Sequence, residues 1–532
     1  MDTQILTEPT RPNLKLNVLL ILIWIATAIF SGLRFYNLSQ KMYWGDEVAS
    51  SLRVSGILSK DLSRKLLSQE GQIVSASDMQ NYLYEPSPKG LSAVVDSLST
   101  EDAQHPPLVP ILQFAWAKAF GAMPGNLRFV SAVFGFLSIL AVFFLCLEMF
   151  QSIQIASIAG FLLSISPIQL IYSQQTREYS AWTFIILITT LLFLRALRKN
   201  GIKDWVFYGI SMAAALYTYI TSGFVLGAFL IFTFTNKDVP KQKKIYFLTT
   251  SGLCLFAFLP WANVILNSVS GVVKNNNWSG SPVGFFDYVF MSILNLSRNL
   301  FDVNTWGIWD HPIEIKWTLV PVFIAAGFGI LGIYGITKKN ANKSATLLLM
   351  ICACSFLPWF LASLIFGGRY GLVPRYFMPS LVAVSIGLAL SISDLLDRNR
   401  WSNKLGILIL VTIFSFGSIS FTKYFSSRSW WTTRPPQLAQ DLEDFPTSEK
   451  SSLILADLSS TFALLSVSFY VPKNTNFRVE KSFEQLSNEP LPESFILFRP
   501  TQALENSLSH IYTFKEIGSG KFLKIASKKS SL

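Results

Sequence analysis

Charge is scarce in this sequence: 14% of its 532 residues are Asp, Glu, Lys or Arg, against about a quarter in an ordinary soluble domain. Hydrophobic residues make up 51%. They gather in runs of roughly 20, which is the length that crosses a bilayer. A soluble domain with an unusually apolar core is thereby excluded, and the expected fold class is a polytopic all-α membrane protein. Cysteine is nearly absent. The four present, Cys146, Cys254, Cys352 and Cys354, all lie inside apolar runs, so no disulfide framework is expected and they read as small core residues. Also missing are a P-loop, a dinucleotide-binding glycine fingerprint, a Gly-x-Ser-x-Gly elbow and any His/Cys metal spacing. A nucleotide-dependent enzyme is therefore disfavoured. There is no internal repeat and no low-complexity segment.

What is present is an excess of base, +12 in formal charge. It does not imply nucleic acid, because the basic residues form short clusters between apolar runs, as the positive-inside rule requires. The charged, proline-containing leader (Glu8, Pro9, Arg11, Pro12, Lys15) lacks a small-residue cleavage site, so an uncleaved first helix is expected. That helix covers about residues 16–38. It is followed by a polar segment richer in acids than in bases, which by charge belongs outside the cytoplasm. The stretch 105–121 is too short to span from Leu108 on and suits a helix lying in the interface. The run 205–234 has basic clusters at both ends and is split near Tyr219–Gly223 into two short, broken helices. About 11 transmembrane helices result. The bundle occupies residues 1–424, with a first outer loop at 39–125 and a second at 267–316. Residues 425–532 carry short β-like runs at Leu453, Phe477 and Phe495 and a hairpin signal at Gly518-Ser519-Gly520. They are expected to form a small α/β extracytoplasmic domain.

Three outer features hold the residues suited to chemistry. The first is Asp46-Glu47 in "MYWGDEVASSLR", where Asp46 is expected to cap a helix and Glu47 to face its dipole. The second is "QHPPL" around His105. The third is "YSQQTREYS", which carries Arg177, Glu178 and Tyr179, and it is matched by Arg369 and Arg375 in "GGRYGLVPRYFMP". For each there is a structural alternative: a cap, a loop histidine, arginines snorkelling to headgroups. Together they place carboxylates, a histidine and three arginines at one membrane surface. Arginine is the residue suited to gripping a phosphate, and a carboxylate beside it can accept a proton. These are the features a lipid-phosphate donor used from outside would need.

The ordered set resembles the protein mannosyltransferase/aminoarabinose-transferase group of GT-C fold glycosyltransferases. Its parts are an acidic pair after helix one, His105-Pro106-Pro107-Leu108, a Tyr-Ser-x-x-x-Arg-x-Tyr stretch and a late Arg-Tyr-x-x-Pro. The resemblance covers residues 16–424 and implies transfer of a sugar, with inversion, from a polyprenyl-phosphate donor to a lipid, glycan or protein acceptor outside the inner membrane. It makes Asp46 the catalytic base with Glu47 as its acidic neighbour. It places Arg177, Arg375 and Arg369 on the donor phosphate, with His105, Glu178 and Tyr179 in support. Two features depart from the protein mannosyltransferases: Gln104 stands where an acid is common, and no central MIR domain is present. The rival reading is a transporter or flippase of a lipid-linked glycan, whose functional charges are expected near mid-membrane. Acceptor contacts are expected in the second outer loop, at Arg298, Asp302, Trp309 and His311. No cofactor is required by the sequence. A divalent cation held by Asp46, Glu47 and His105 remains open.

Overall fold

Within hydrocarbon every backbone N–H and C=O needs an internal partner, so long apolar runs fold as helices. The computed structural model describes residues 14–67, 72–84, 89–268, 280, 282–303, 318–338, 343–427, 442, 453–480, 491–518 and 522–529. Helix α1 (Leu14–Gly32) ends in a 3-10 turn and opens into a loop region holding α2 (Gly45–Val54), α3 (Ser59–Leu67), strand β1 (Ile73–Ser75), α4 (Ala76–Tyr84), α5 (Leu91–Glu101) and α6 (Leu108–Phe120). The bundle continues through α7 (Pro124–Phe150), α8 (Ile153–Ile165), α9 (Pro167–Ser173), α10 (Tyr179–Lys199), α11 (Ile202–Thr218), α12 (Ser222–Thr235) and α13 (Lys241–Asn267). It closes with α14 (Phe285–Ser297), α15 (Leu319–Thr337), α16 (Lys343–Phe366), α17 (Met378–Asp397) and α18 (Arg400–Ser426).

Eight of the described helices are long and apolar enough to cross a membrane, nine if the bent pair α8–α9 is one span. The chain is a multi-pass membrane protein. The break expected between residues 205 and 234 falls at Tyr219–Thr221, between α11 and α12, which are 17 and 14 residues long. Both are shorter than a full span, so against the expected eleven transmembrane helices the described residues supply eight or nine of spanning length. Helix α6, 13 residues, is a short apolar helix, as expected for the stretch after His105.

Two irregularities in the bundle position the site. Pro167 lacks an N–H and restricts Ser166 to extended geometry, so α8 stops and α9 starts at an angle of 62°. The carbonyls freed at the end of α8 are taken by Arg34, fully buried after α1, which donates to Ser164 O (2.8 Å) and Leu163 O (2.9 Å). The chain that emerges from α9, residues 174–178, is buried within the bundle rather than lying on its surface. Elsewhere α15 and α17 meet through glycines. A Cβ on Gly332, Gly335 or Gly387 has no room against the facing backbone, the close approach that small residues allow in membranes.

The C-terminal residues build a six-stranded sheet of order β1-β3-β2-β4-β6-β5, with β2 (Leu453–Asp457), β3 (Asn476–Glu480), β4 (Ser494–Phe498), β5 (Tyr512–Glu516) and β6 (Leu523–Lys528). Strands β2, β3 and β4 are parallel, with helix α19 (Thr461–Ser468) between β2 and β3 and α20 (Gln502–Leu508) after β4. The runs at Leu453, Phe477 and Phe495 and the hairpin pair are all strands. The sheet's first strand comes from elsewhere: β1 of the first loop pairs antiparallel with β3, Val74 opposite Phe477.

Candidate active site

Helix α2 starts at Gly45. Its N-cap is Trp44, which makes no side-chain capping bond, so the expected cap at Asp46 is corrected: Asp46 and Glu47 both sit in the first helical turn. Their environments differ sharply. Asp46 is about a third exposed and its Oδ2 lies 3.7 Å from Arg375 Nη1. Glu47 is fully buried and forms a two-pronged pair with Arg128 of α7 (Oε1–Nε 2.8 Å, Oε2–Nη2 2.7 Å), while Oε1 also accepts the backbone N–H of Thr176 at 2.8 Å. Arg128 spends its remaining donors on the carbonyls of Leu38 (2.7 Å), Lys41 (3.0 Å) and Met42 (3.0 Å), so all five N–H groups are satisfied. Glu47 thus fastens the first loop to α7 and the 174–178 segment.

One face of α7 organises this region. Arg128, Ser131, Gly135 and Ser138 fall at helical spacing. Ser131 Oγ donates to the carbonyl of Arg177 (3.1 Å), and Ser180 Oγ donates back to Ser131 O (2.9 Å). Gly135 admits Ser173 at a distance no Cβ would allow. The sequence reading missed Arg128. The available signal was a basic residue and a small-residue stripe, "RFVSAVFGFLS", inside an otherwise apolar span.

Held this way, Arg177 reaches across the site. Its Nη1 lies 3.4 Å from the carbonyl of Asp46 and 3.2 Å from Ser50 Oγ, and its Nη2 lies 3.0 Å from His105 Nε2. Glu178 Oε1 is 2.9 Å from His105 Nδ1, and its Oε2 is 3.5 Å from Arg177 Nε. Burial pushes the Glu178 carboxyl up, but Arg177 and then His105 more than reverse this and bring it down to about 2. Burial likewise pulls His105 down, and Asp102 and Glu178 together raise it above its usual range. The ring of Tyr179 lies between the two arginines, 5.8 Å from the Arg177 guanidinium and 5.9 Å from that of Arg375. Tyr219, at the break between α11 and α12, closes the far wall by stacking on His105 and packing on Tyr179 and Trp182. A small pocket opens beside Arg177, lined by Ser50, Asp102, His105, Gln113, Thr176 and Glu178 together with Leu98, Pro106, Val109 and Pro110.

Asp46, His105, Arg177, Glu178, Tyr179 and Arg375 therefore converge. Arg369 lies six residues before Arg375, at the N-cap of the 3-10 turn Tyr370–Leu372, where its carbonyl accepts the N–H of Leu372; Arg375 lies in the next such turn, Pro374–Phe377. Arg298 and Asp302 are not surface contacts. Both are buried, 3.8 Å apart. Arg298 holds Asn295 Oδ1 (2.5 Å), whose amide donates to Leu372 O (2.9 Å), so this group supports the stretch bearing Arg369 and Arg375 from behind. Trp309 and His311 lie outside the described residues. Among the described residues no three His, Cys, Asp or Glu side chains are grouped to hold a metal ion, and Glu47 is already committed to Arg128.

Residues 104–263 match the family model for dolichyl-phosphate-mannose-protein mannosyltransferase. The match begins next to His105 and takes in Arg177. The whole chain is similar in fold to ArnT from Cupriavidus metallidurans. Against the apo state the TM-score is 0.52 at 10% identity, covering 96% of this chain and 97% of that one. Against ArnT bound to undecaprenyl phosphate it is 0.51 at 11% identity, covering 97% and 99%. The apo oligosaccharyltransferase of Archaeoglobus fulgidus aligns at a TM-score of 0.48 and 12% identity, over 87% of this chain and 65% of that enzyme. No curated protein matches significantly. The fold is the GT-C fold of the protein mannosyltransferase/ArnT type, a membrane bundle with a small C-terminal sheet domain.

Proposed function

We propose that this protein is an inverting membrane glycosyltransferase that takes a sugar from a polyprenyl-phosphate donor and passes it to an acceptor on the extracytoplasmic side. The observation that carries the reading is the convergence of an accessible carboxylate, Asp46, with two arginines stacked on one tyrosine, Tyr179. The donor phosphate binds Arg375 and Arg177, with Arg369 at the edge. As it does so it takes Arg375 from Asp46 and frees the carboxylate. An acceptor O–H or N–H then places its proton on Asp46 while its lone pair attacks the anomeric carbon. The bond from that carbon to the phosphate oxygen breaks on the opposite face, and the polyprenyl phosphate leaves with its added negative charge against the arginines. A positioned base is worth about 10²–10⁴ in rate, and preorganised charge at the leaving group a comparable or larger factor.

A small apolar cavity lies one helical turn further along α10. It is lined by Leu145, Thr183, Leu187, Leu348, Pro379 and Val382. Thr183 follows Tyr179 on α10, and Pro379 follows Arg375. The arginines supply the countercharge, so no cofactor enters the proposed steps. The basic clusters between spans support a site and a sheet domain on the outer side of the inner membrane. Incubating the purified protein in lipid with polyprenyl-phosphate sugars and candidate acceptors tests the reading. Sugar transfer is expected, and its loss in Asp46→Asn with donor binding kept. Movement of the intact donor across the bilayer without transfer would instead indicate a flippase.

A further inference from the structure

The first turn of α2, which bears Asp46, has no side-chain cap. It is held instead by a chain of bonds that begins in the C-terminal domain. Tyr470, two residues past α19, donates its hydroxyl to the carbonyl of Lys41. That same carbonyl accepts Arg128 Nη1 (3.0 Å). Arg128 continues to Glu47, and Glu47 to the backbone N–H of Thr176 (2.8 Å). The next residue to Glu47 is Asp46, and the next to Thr176 is Arg177. One line of contacts therefore ends on the immediate chain neighbours of both the proposed base and one of the proposed phosphate ligands.

The domain is fixed to this loop at further points. β1 pairs with β3, Ala76 N donates to Thr475 O (2.9 Å), and Gln80 Nε2 donates to Ser468 O (2.6 Å). Phe469 packs edge-on against Tyr43 (5.3 Å) and Tyr84 (5.7 Å), and the Arg128 guanidinium lies 5.3 Å from the Tyr43 ring. A domain merely tethered to the bundle needs none of these contacts at residues 41–47.

We propose that the C-terminal domain is a brace for the active site, with Tyr470 as a positioning residue that sets Asp46 in register with Arg177. The geometry stands alone; its effect on rate rests on the transferase reading. Tyr470→Phe removes the hydroxyl and keeps the ring, and Val74→Pro removes a ladder N–H from β1. Both are examined in the full chain in lipid, by amide hydrogen exchange and, separately, by turnover.

Exchange in residues 43–54 and 174–178 is expected to rise in both variants, while exchange at the glycine contact of α15 and α17 stays as in the wild type. Turnover by Tyr470→Phe falls by up to about 10²-fold, the cost of a misplacement on the order of 1 Å, with donor KM within about twofold. Unchanged exchange in both variants overturns the brace. So does a loss spread evenly over the whole molecule, which would mark Tyr470 as ordinary packing. If the wild type transfers no sugar from any polyprenyl-phosphate donor, the transferase reading fails while the exchange result still decides the brace.

Discussion

Asp46 and Glu47 are neighbours of the same charge, and replacing each by its amide should do opposite things. Glu47 and Arg128 are both fully buried. Glu47→Gln keeps the shape but leaves the Arg128 cation without its counterion. Breaking one side of a buried pair costs about 3–5 kcal/mol, because the partner's charge stays buried and uncompensated. The amide also presents N–H groups where Glu47 accepts from three donors, Arg128 Nε, Arg128 Nη2 and Thr176 N, so one charge-assisted bond becomes a donor–donor clash. Asp46 is different. Its pairing with Arg375 is long at 3.7 Å and a third exposed, a setting in which ion pairs contribute about 0–1 kcal/mol. Asp46→Asn should therefore unfold with the wild-type profile and lose transfer by at least about 10²-fold. Glu47→Gln should lower the thermal midpoint clearly and lose activity as a consequence. The assay is thermal unfolding of both variants in one detergent, beside transfer rates measured well below either midpoint. A stable but inactive Glu47→Gln with an active Asp46→Asn would reverse the two roles and refute the reasoning.

Other outcomes follow from the same geometry. His105 is raised above its ordinary value of about 6.5, so its charged form adds stability below that pH and the gain is lost as pH rises through the higher folded value; His105→Gln should flatten the fall of the thermal midpoint as pH rises above about 6.5. Glu178 is depressed to about 2, so its contribution is present above the usual carboxylate range and fails only in strong acid. Arg375→Ala and Arg177→Ala should each weaken polyprenyl-phosphate binding, measured by ligand-dependent thermal shift, and lysine should restore only part because it lacks the fork that meets two phosphate oxygens. Gly387→Val, at the point where α17 meets α15, should prevent a stable bundle from forming, read as loss of a monodisperse peak on size exclusion.

How much of this was legible in the sequence follows from which signals are local. Span positions are local, since a run of apolar residues crosses a bilayer whatever its neighbours do, and the described helices fall close to the runs read from hydropathy. The broken helix at Tyr219 was legible because basic clusters at both ends forced an even number of crossings. The arginines were legible because a cation at the edge of a span demands a partner. Arg128 stands at the start of a span, and only its five hydrogen bonds to Leu38, Lys41, Met42 and Glu47 show that it is an internal fastener. The contribution of β1 to the C-terminal sheet was equally hidden, because three residues paired across some 400 positions leave no periodic mark. The acidic pair shows the limit most directly. Adjacent residues on a helix point about 100° apart, since a turn holds 3.6 residues. Here the two acids of α2 face different partners, Asp46 toward Arg375 and Glu47 toward Arg128. Once the segment from Gly45 is helical, one acid must face inward, where only a dedicated arginine makes it tolerable. The other is left at the opening of the site. The sequence placed Asp46 and Glu47 side by side; their different surroundings, one beside Arg375 and one locked to Arg128, appear only once the helix is built.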